Sequence, residues 1–299
     1  MSEPNIIIKV GSDAQKQIIK QEINNFIKII NKAVKGWFDA VIIPEDFEQE
    51  VRKLTSQDDY SAKRGGIYVL AKFITSNYGK TLVLNPLLYT EAFDTQIRFH
   101  FYFHETNHFL ISLNKADFSN LSKSNKAYME TISFFYEEYC SERFSLSLCE
   151  SLSDKLFSKK SQLFLKHLKD CYEGHLDLIS DSQKFLSNIR KVLNDFKYHA
   201  DGDRFIKDIR PIIEPAILSF FYISAFKKVL PDIAEKSLSE LSLPFNQTPS
   251  IEMANLCHES YPKDLNPEKD MNKIKRFISQ FGFEFKDYPL GLFVKIVDI

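Results

Sequence analysis

The segment 101–110, FYFHETNHFL, places two histidines and a glutamate between aromatic and apolar flanks. Its two histidines are four residues apart, and a glutamate directly follows the first histidine. Positions i and i+4 lie on one face of an α-helix, so a helix here would point both imidazoles in the same direction. Charged side chains are costly to bury unless they are paired or bind a metal ion. The segment therefore predicts a buried helix whose polar residues share one site.

The same spacing is that of the zinc-hydrolase motif H-E-x-x-H, formed here by His104, Glu105 and His108. The two histidines are candidate Zn²⁺ ligands. Glu105 is the candidate general base, which takes a proton from water and passes it to a leaving amine. His100 lies one turn before His104 but about 12 Å from His108 along a straight helix, too far for two bonds of about 2 Å to one ion. His100 is therefore expected to be a core histidine or a partner of a ligand.

A catalytic zinc ion needs a third protein ligand and leaves one position open for water. The extended motif with a third histidine ten residues after the first is absent, so this ligand has to come from another element. The next predicted helix, 127–152, carries Glu137, Glu138 and Glu142. Glu138 and Glu142 are one turn apart, so one can bind the metal while the other orients a histidine. The residues that share a helix face with Glu137 are polar, which is typical of a solvated face, so the pattern favours Glu138 or Glu142 without choosing between them.

HExxH followed by a helix with E-x-x-x-(acid or Asn) resembles the gluzincin class of zinc metallopeptidases, and it is most similar to the small bacterial and archaeal minigluzincins. The segment EYCSERFS (138–145) matches the spacing of the second motif. Cys140 and Ser141 stand where glutamate and alanine are common in the family. The resemblance covers roughly residues 38–150. It implies that Glu138 is the third zinc ligand and that Glu142 supports a ligand.

The resemblance also implies a fold class, α+β. The N-terminal half, 1–152, is expected to be a zincin-like metallopeptidase core with a small mixed sheet, an active-site helix and a glutamate helix. The region 153–299 is expected to be mainly helical, with a terminal hairpin. In the family, the edge strand of the sheet pairs with an extended peptide substrate. A downstream histidine or tyrosine often stabilises the oxyanion, and His258 and Tyr261 in the segment 256–262 are both candidates.

The implied activity is zinc-dependent hydrolysis of peptide bonds in a restricted intracellular protein substrate, with Glu105 as general base and a metal-bound water as nucleophile. The alternative is a catalytically inactive zinc-binding scaffold or interaction protein that keeps a vestigial HExxH site. A regulatory protein partner is compatible with either function.

Periodicity predicts the remaining elements. Strands are expected at 5–10, 38–44, 65–75 and 80–86, with the last two joined by a turn at 77–79, and helices at 12–37, 45–55 and 90–113. In the second half, helical patterns cover 153–196 as one long or two shorter helices and 204–230 as a helix interrupted by Pro211 and Pro215. A loop around one short helix and a helix ending at Gly282 follow, and the chain closes on the hairpin.

Composition limits the classes of binding partner and the cellular compartments that fit this chain. The formal net charge is −1, which gives no overall attraction for nucleic acid or an anionic membrane surface. The longest apolar run, 216–226, is too short to span a bilayer, and the N-terminus lacks the pattern of a signal peptide. None of the four cysteines forms a CxxC pair. These features predict a cytoplasmic protein whose partner is a protein or peptide.

Overall fold

The computed structural model describes residues 3–31, 38–64, 67–77, 79–113, 116–156, 161–180, 182–234, 247–289 and 291–297. The chain divides into two units: unit 1 consists of Met1–Leu113 and Phe144–His167, and unit 2 of Asn114–Arg143 and Leu168–Ile299. The domain boundary predicted at 152/153 stays a prediction, because contact density does not show which part of a chain folds on its own. Parts of the predicted elements at 12–37, 65–75, 77–79 and 153–196 lie outside the described residues.

The strands of the described residues are, in chain order, β1 (Asn5–Ile8), β2 (Ala40–Ile43), β3 (Lys63–Arg64), β4 (Ile67–Tyr68), β5 (Ala71–Ser76), β6 (Gly79–Leu84), β7 (Phe283–Tyr288) and β8 (Gly291–Ile296). The helices are α1 (Asp13–Asn31), α2 (Phe47–Thr55), α3 (Thr95–Ser112), α4 (Lys123–Leu156), α5 (Gln162–Ser180), α6 (Ser182–His199), α7 (Gly202–Val229), α8 (Gln247–Ser260) and α9 (Pro267–Ser279), with a 3-10 turn at Pro86–Tyr89.

Unit 1 contains a mixed four-stranded sheet in the order β1-β2-β6-β5. β1, β2 and β6 run parallel, and β5 pairs antiparallel with β6 in the register Phe73↔Leu82. Consecutive residues Leu82, Val83 and Leu84 of β6 are all buried, as expected for a strand covered on both faces. The predicted hairpin is confirmed for β5 and β6, and β5 is an edge strand of the sheet. The predicted extent of its first strand, 65–75, is wrong: Ile67–Tyr68 forms the separate β4, which pairs with β3, and the strand that pairs with β6 begins at Ala71.

Helices cover both faces of this sheet at β5. Ile74 belongs to the buried cluster that α2 forms with Phe47, Val51 and Leu54. The neighbouring side chain, Phe73, instead contacts the ring of Phe109 on α3, with ring centroids 5.4 Å apart. Because successive side chains of a strand point to opposite faces, α2 and α3 lie on opposite sides of β5. The sheet therefore fixes the helix that carries the HExxH motif.

A buried ion pair and an aromatic cluster hold α3 against α1. Arg98 on α3 donates to both carboxylate oxygens of Glu22 on α1, at 2.7 and 2.6 Å, and the two side chains are only 14% and 12% exposed. The ring of Phe26 on α1 packs against the rings of Phe99 and Tyr102, with centroids 5.9 and 5.0 Å apart. Bidentate Arg–carboxylate pairs are geometrically specific, so this contact fixes the register between the helices.

Unit 2 is built around α7, which is one continuous helix. The prediction that Pro211 and Pro215 interrupt it is wrong: both lie inside Gly202–Val229. Pro211 is exposed, so the carbonyl that it leaves unpaired can bond to water. The buried face of the helix, which includes Phe205, Ile213 and Phe220, continues on both sides of the prolines. Its burial outweighs the cost of about 3 kcal/mol for a proline in a helix interior.

The terminal hairpin is confirmed as β7 and β8, paired in the register Tyr288↔Gly291. Its Asp287 carboxylate accepts hydrogen bonds from the backbone N–H and the hydroxyl of Ser124, at 2.7 and 2.6 Å. Ser124 lies in the first turn of α4, whose backbone N–H groups lack partners within the helix. These bonds lower the pKa of Asp287. The hairpin therefore caps the N-terminus of the glutamate-bearing helix.

The fold class is thus α+β, with a small mixed sheet and many helices. Among the described residues, one helix, α7, is long and apolar enough to cross a membrane, but 61% of its most apolar window is buried inside the protein. Such burial is typical of a core helix.

Candidate metal centre

Helix α3 carries the HExxH residues on its buried side. Asp94 caps its N-terminus by accepting from the Ile97 backbone N–H at 2.9 Å. His104 is buried and His108 is half-buried. One helical turn separates their backbones by about 6 Å along the axis, yet their Nε2 atoms converge to 3.1 Å. The helix thus brings two imidazole nitrogens to one point, as the spacing predicts.

Glu105 points toward the sheet. Its Oε2 accepts a hydrogen bond of 2.6 Å from the backbone N–H of Phe73 in β5. Hydrogen bonds in an antiparallel ladder alternate in direction, so this N–H points away from β6, at the open edge of the sheet. The side chain of Glu105 is half-buried, and its bond to the strand fixes the position of the carboxylate.

Glu138 joins the histidines in a group that can hold a metal ion. His104, His108 and Glu138 each offer one ligand atom, and these atoms all lie within 4.8 Å of one another. Among the described residues, this is the one such group of three or more His, Cys, Asp or Glu side chains. Glu142, the other acid that the resemblance singles out, is buried and acts electrostatically on His175 and Cys171 of α5.

The donor set fits zinc. Two imidazole nitrogens and one carboxylate oxygen are the His₂Glu set of catalytic zinc sites. Bonds of about 2.05 Å at tetrahedral angles place two ligand nitrogens about 3.3 Å apart; the Nε2 atoms of His104 and His108 are 3.1 Å apart. Two atoms bound to one zinc ion can be at most about 4.2 Å apart. The ligand atoms of the three-residue group lie within 4.8 Å of one another, which is close to this range.

Within unit 2, Glu138 is held by a tyrosine. The Tyr222 hydroxyl on α7 donates to Glu138 Oε2 at 2.8 Å. The Tyr222 ring stacks on the imidazole of His175 on α5, with centroids 4.6 Å apart and planes 27° apart. His175 Nδ1 is in turn hydrogen bonded to the Ser219 hydroxyl at 3.1 Å. Burial lowers the pKa of His175 to about 4, so this imidazole is neutral at pH 7.

His100 lies in an aromatic environment. It is 4% exposed, and its ring packs against those of Phe101, Phe164 and His167, with centroids 5.7, 6.4 and 5.9 Å away. Three aromatic contacts in unit 1 are typical of a core histidine. This environment agrees with the expectation that His100 is not a ligand.

Each of the two oxyanion candidates contacts a residue of α4: His258 contacts Tyr139, and Tyr261 contacts Arg143. His258 is in the last turn of α8 rather than in a loop, and its Nδ1 lies 2.6 Å from the Tyr139 hydroxyl. Burial, with the positive charges of Arg143 and Lys228, lowers the pKa of His258 to about 4. Tyr261 lies beneath the Arg143 guanidinium, whose carbon is 4.1 Å from the ring centroid. Both side chains thus have defined partners within unit 2.

Sequence reasoning missed Phe73, Tyr222 and His175 as neighbours of the candidate site. A backbone N–H carries no sequence signal, so the Phe73 contact could not have been found. Tyr222 and Ser219 offered a weak signal, because they are polar residues three apart inside the apolar run 216–226. Residues three apart share a helix face, and a buried hydroxyl needs a partner.

Comparisons of the chain with protein-family models, with curated proteins and with solved structures return no match. The chemistry of the site therefore has to be argued from its own residues.

Proposed function

We propose that this chain is a zinc-dependent metallopeptidase whose ligands are His104, His108 and Glu138. The observation that carries the proposal is the convergence of these three ligand atoms within 4.8 Å of one another. A coincidental HExxH sequence has no reason to meet a carboxylate thirty residues later in the chain. The finer proposal is a zincin-like core over residues 1–152, supported by the mixed sheet, its antiparallel edge strand and the adjacent α3.

A zinc ion held by these residues would supply a water of lowered pKa and would polarise the scissile carbonyl. Glu105 follows His104 directly and is the group that can move the proton. Its carboxylate takes a proton from the attacking water and delivers it to the nitrogen of the leaving amine. The bond from the Phe73 N–H orients this carboxylate before substrate arrives.

The proposed substrate is a restricted intracellular protein or peptide. β5 is an edge strand beside the HExxH helix, so an extended peptide can add to it by main-chain hydrogen bonds. The four cysteines are free thiols, which is typical of a reducing compartment and supports a cytoplasmic location.

One observation favours the alternative, a zinc-binding scaffold without activity. Glu105 Oε2 is bound to the backbone of β5, and a carboxylate engaged in this way is less available to accept a proton. In a scaffold, Glu105 would serve only to join α3 to the sheet. In an enzyme, substrate that pairs with β5 would compete for the Phe73 N–H and leave the carboxylate available for the water.

The test combines metal content with cleavage of a peptide library, read out by mass spectrometry. Wild-type protein is expected to hold one zinc ion per chain and to cut a narrow set of peptides. Glu105→Gln is expected to keep the zinc and to lose about 10²–10⁴-fold in turnover. Protein without stoichiometric zinc contradicts the proposal. Protein that holds zinc but cuts nothing supports the scaffold instead.

A further inference from the structure

The hydroxyl of Tyr222 donates a hydrogen bond to the proposed third ligand. Its oxygen lies 2.8 Å from Glu138 Oε2. A phenol that donates to a carboxylate forms a charge-assisted bond, stronger and more directional than a bond between neutral groups. Partners of this kind orient metal ligands and set their basicity.

We infer that Tyr222 is a positioning residue that holds Glu138 Oε2 and thereby directs Oε1 to the metal ion; this inference rests on the proposed zinc site. A phenol that holds one oxygen of a carboxylate favours binding of an ion through the other oxygen. Single-oxygen binding keeps the coordination number low and leaves room for water and substrate in an open catalytic site.

The surroundings of Tyr222 fix its hydroxyl in place. The ring stacks on His175 at 4.6 Å, and His175 is fixed through its Nδ1 bond to Ser219, one turn before Tyr222 on α7. Because burial keeps His175 neutral, the stack adds no positive charge that would compete with the ion for Glu138. The chain of contacts Ser219–His175–Tyr222–Glu138 thus links α7 and α5 to the carboxylate.

The discriminating variant is Tyr222→Phe, which keeps the ring and its stack and removes only the hydroxyl. Tyr136→Phe is the matched control. Tyr136 lies on α4, two residues before Glu138, and its buried hydroxyl donates to the Lys263 carbonyl at 2.7 Å instead. Both variants remove a hydroxyl that is hydrogen bonded within unit 2, so a general loss of stability should appear in both.

Zinc affinity is measured by chelator competition at neutral pH. Tyr222→Phe is expected to bind zinc about 10- to 100-fold more weakly than wild type, whereas Tyr136→Phe stays within about threefold. The visible spectrum at saturating Co²⁺ is the second readout. It should change in Tyr222→Phe, because the released Glu138 can bind through both oxygens, and should be unchanged in Tyr136→Phe.

If wild type and Tyr222→Phe have equal zinc affinity and identical cobalt spectra, this inference is wrong, and the proposed zinc-peptidase function is unaffected. Wild type that takes up neither metal overturns both. If Tyr222→Phe fails to fold, Ser219→Ala is used in its place. Ser219→Ala removes the hydrogen bond that holds His175 against the Tyr222 ring. A several-fold loss of zinc affinity in Ser219→Ala supports the inference, and unchanged affinity with an unchanged cobalt spectrum contradicts it.

Discussion

The Glu105 carboxylate accepts a hydrogen bond of 2.6 Å from the backbone N–H of Phe73. The bond joins the middle of the HExxH helix to the edge strand of the four-stranded sheet. One contact therefore has two consequences: it fixes the candidate general base, and it satisfies a strand donor that has no partner in the ladder. Stability and catalysis can be separated at this residue, because an amide oxygen accepts the same hydrogen bond but cannot act as a base at neutral pH.

Substitutions of Glu105 are expected to differ in stability. Glu105→Gln should unfold within about 1 kcal/mol of wild type, because the amide oxygen still accepts from Phe73. Glu105→Ala leaves that N–H without its partner and should cost about 1–3 kcal/mol. Urea unfolding of metal-free protein measures the difference. Equal midpoints for the two variants would show that the hydrogen bond contributes nothing to the folded state.

Substitutions of neighbouring glutamates on α4 should separate the metal ligand from its rival. Glu138→Gln removes the proposed ligand, and its zinc affinity should fall by more than the roughly 10- to 100-fold that is typical of losing a ligand's partner. Glu137→Gln changes the charge equally at the adjacent position and should leave the affinity within about threefold. Zinc stoichiometry after dialysis against a chelator gives the readout. If Glu137→Gln loses the metal and Glu138→Gln keeps it, the assignment of the third ligand is wrong.

Breaking the ion pair between α1 and α3 is expected to destabilise unit 1. Arg98→Met leaves the Glu22 carboxylate largely buried without its bidentate partner and should cost about 2–3 kcal/mol. Arg210→Met is the control, because Arg210 pairs with Glu214 on the exposed side of α7 and such pairs contribute about 0–1 kcal/mol. Thermal unfolding of both variants provides the comparison. A control that is as unstable as Arg98→Met would contradict the role of burial.

Acid should destabilise the metal-free protein through His175. The pKa of this imidazole is lowered to about 4 in the folded protein, by burial, from its ordinary value of 6.5. Above pH 6.5 the residue is neutral in both states and has no effect on stability. As pH falls from 6.5 toward 4, His175 becomes protonated in the unfolded chain but stays neutral in the folded chain. This difference lowers the free energy of unfolding by on the order of 3 kcal/mol.

Urea unfolding at pH 7.5, 6.0 and 5.0 in the presence of a chelator measures this dependence. His175→Gln removes the titrating group, and its amide can still bond to Ser219. The free energy of unfolding of this variant should therefore fall less steeply with acid than that of wild type. Parallel pH profiles for the two proteins would show that other groups cause the acid sensitivity.

The elements that could be predicted from sequence are those with a clear period or a local signal. The helix at 95–112 and the terminal hairpin at 283–296 follow from apolar spacing. The continuity of α7 could not be predicted, because two prolines give a strong local signal against a helix interior. What outweighs that signal is the burial of one face of α7 against elements distant in sequence, such as the contact of Phe205 with Phe283.

Some residues of the candidate site could likewise be predicted from the sequence, and others could not. His104 and His108 share a helix face because of four-residue spacing, which is a local property. Glu138 could be chosen over Glu142 only by resemblance to a family, since these two glutamates share a face of α4. The partners Phe73 and Tyr222 were not predictable, because a strand edge and a helix eighty-four residues from Glu138 meet these carboxylates only after folding.

The sequence by itself determined the helix that holds the two histidines, the position of the base beside the first of them, and the mixed α+β character of the chain. These properties depend on the 3.6-residue period of a helix and on side-chain chemistry, both of which are local. Only the tertiary structure decided what holds each carboxylate: a backbone N–H for Glu105 and a phenol for Glu138. The physical reason is that hydrogen bonds are short-range and directional, so partners far apart in sequence exist only once packing has brought their elements together.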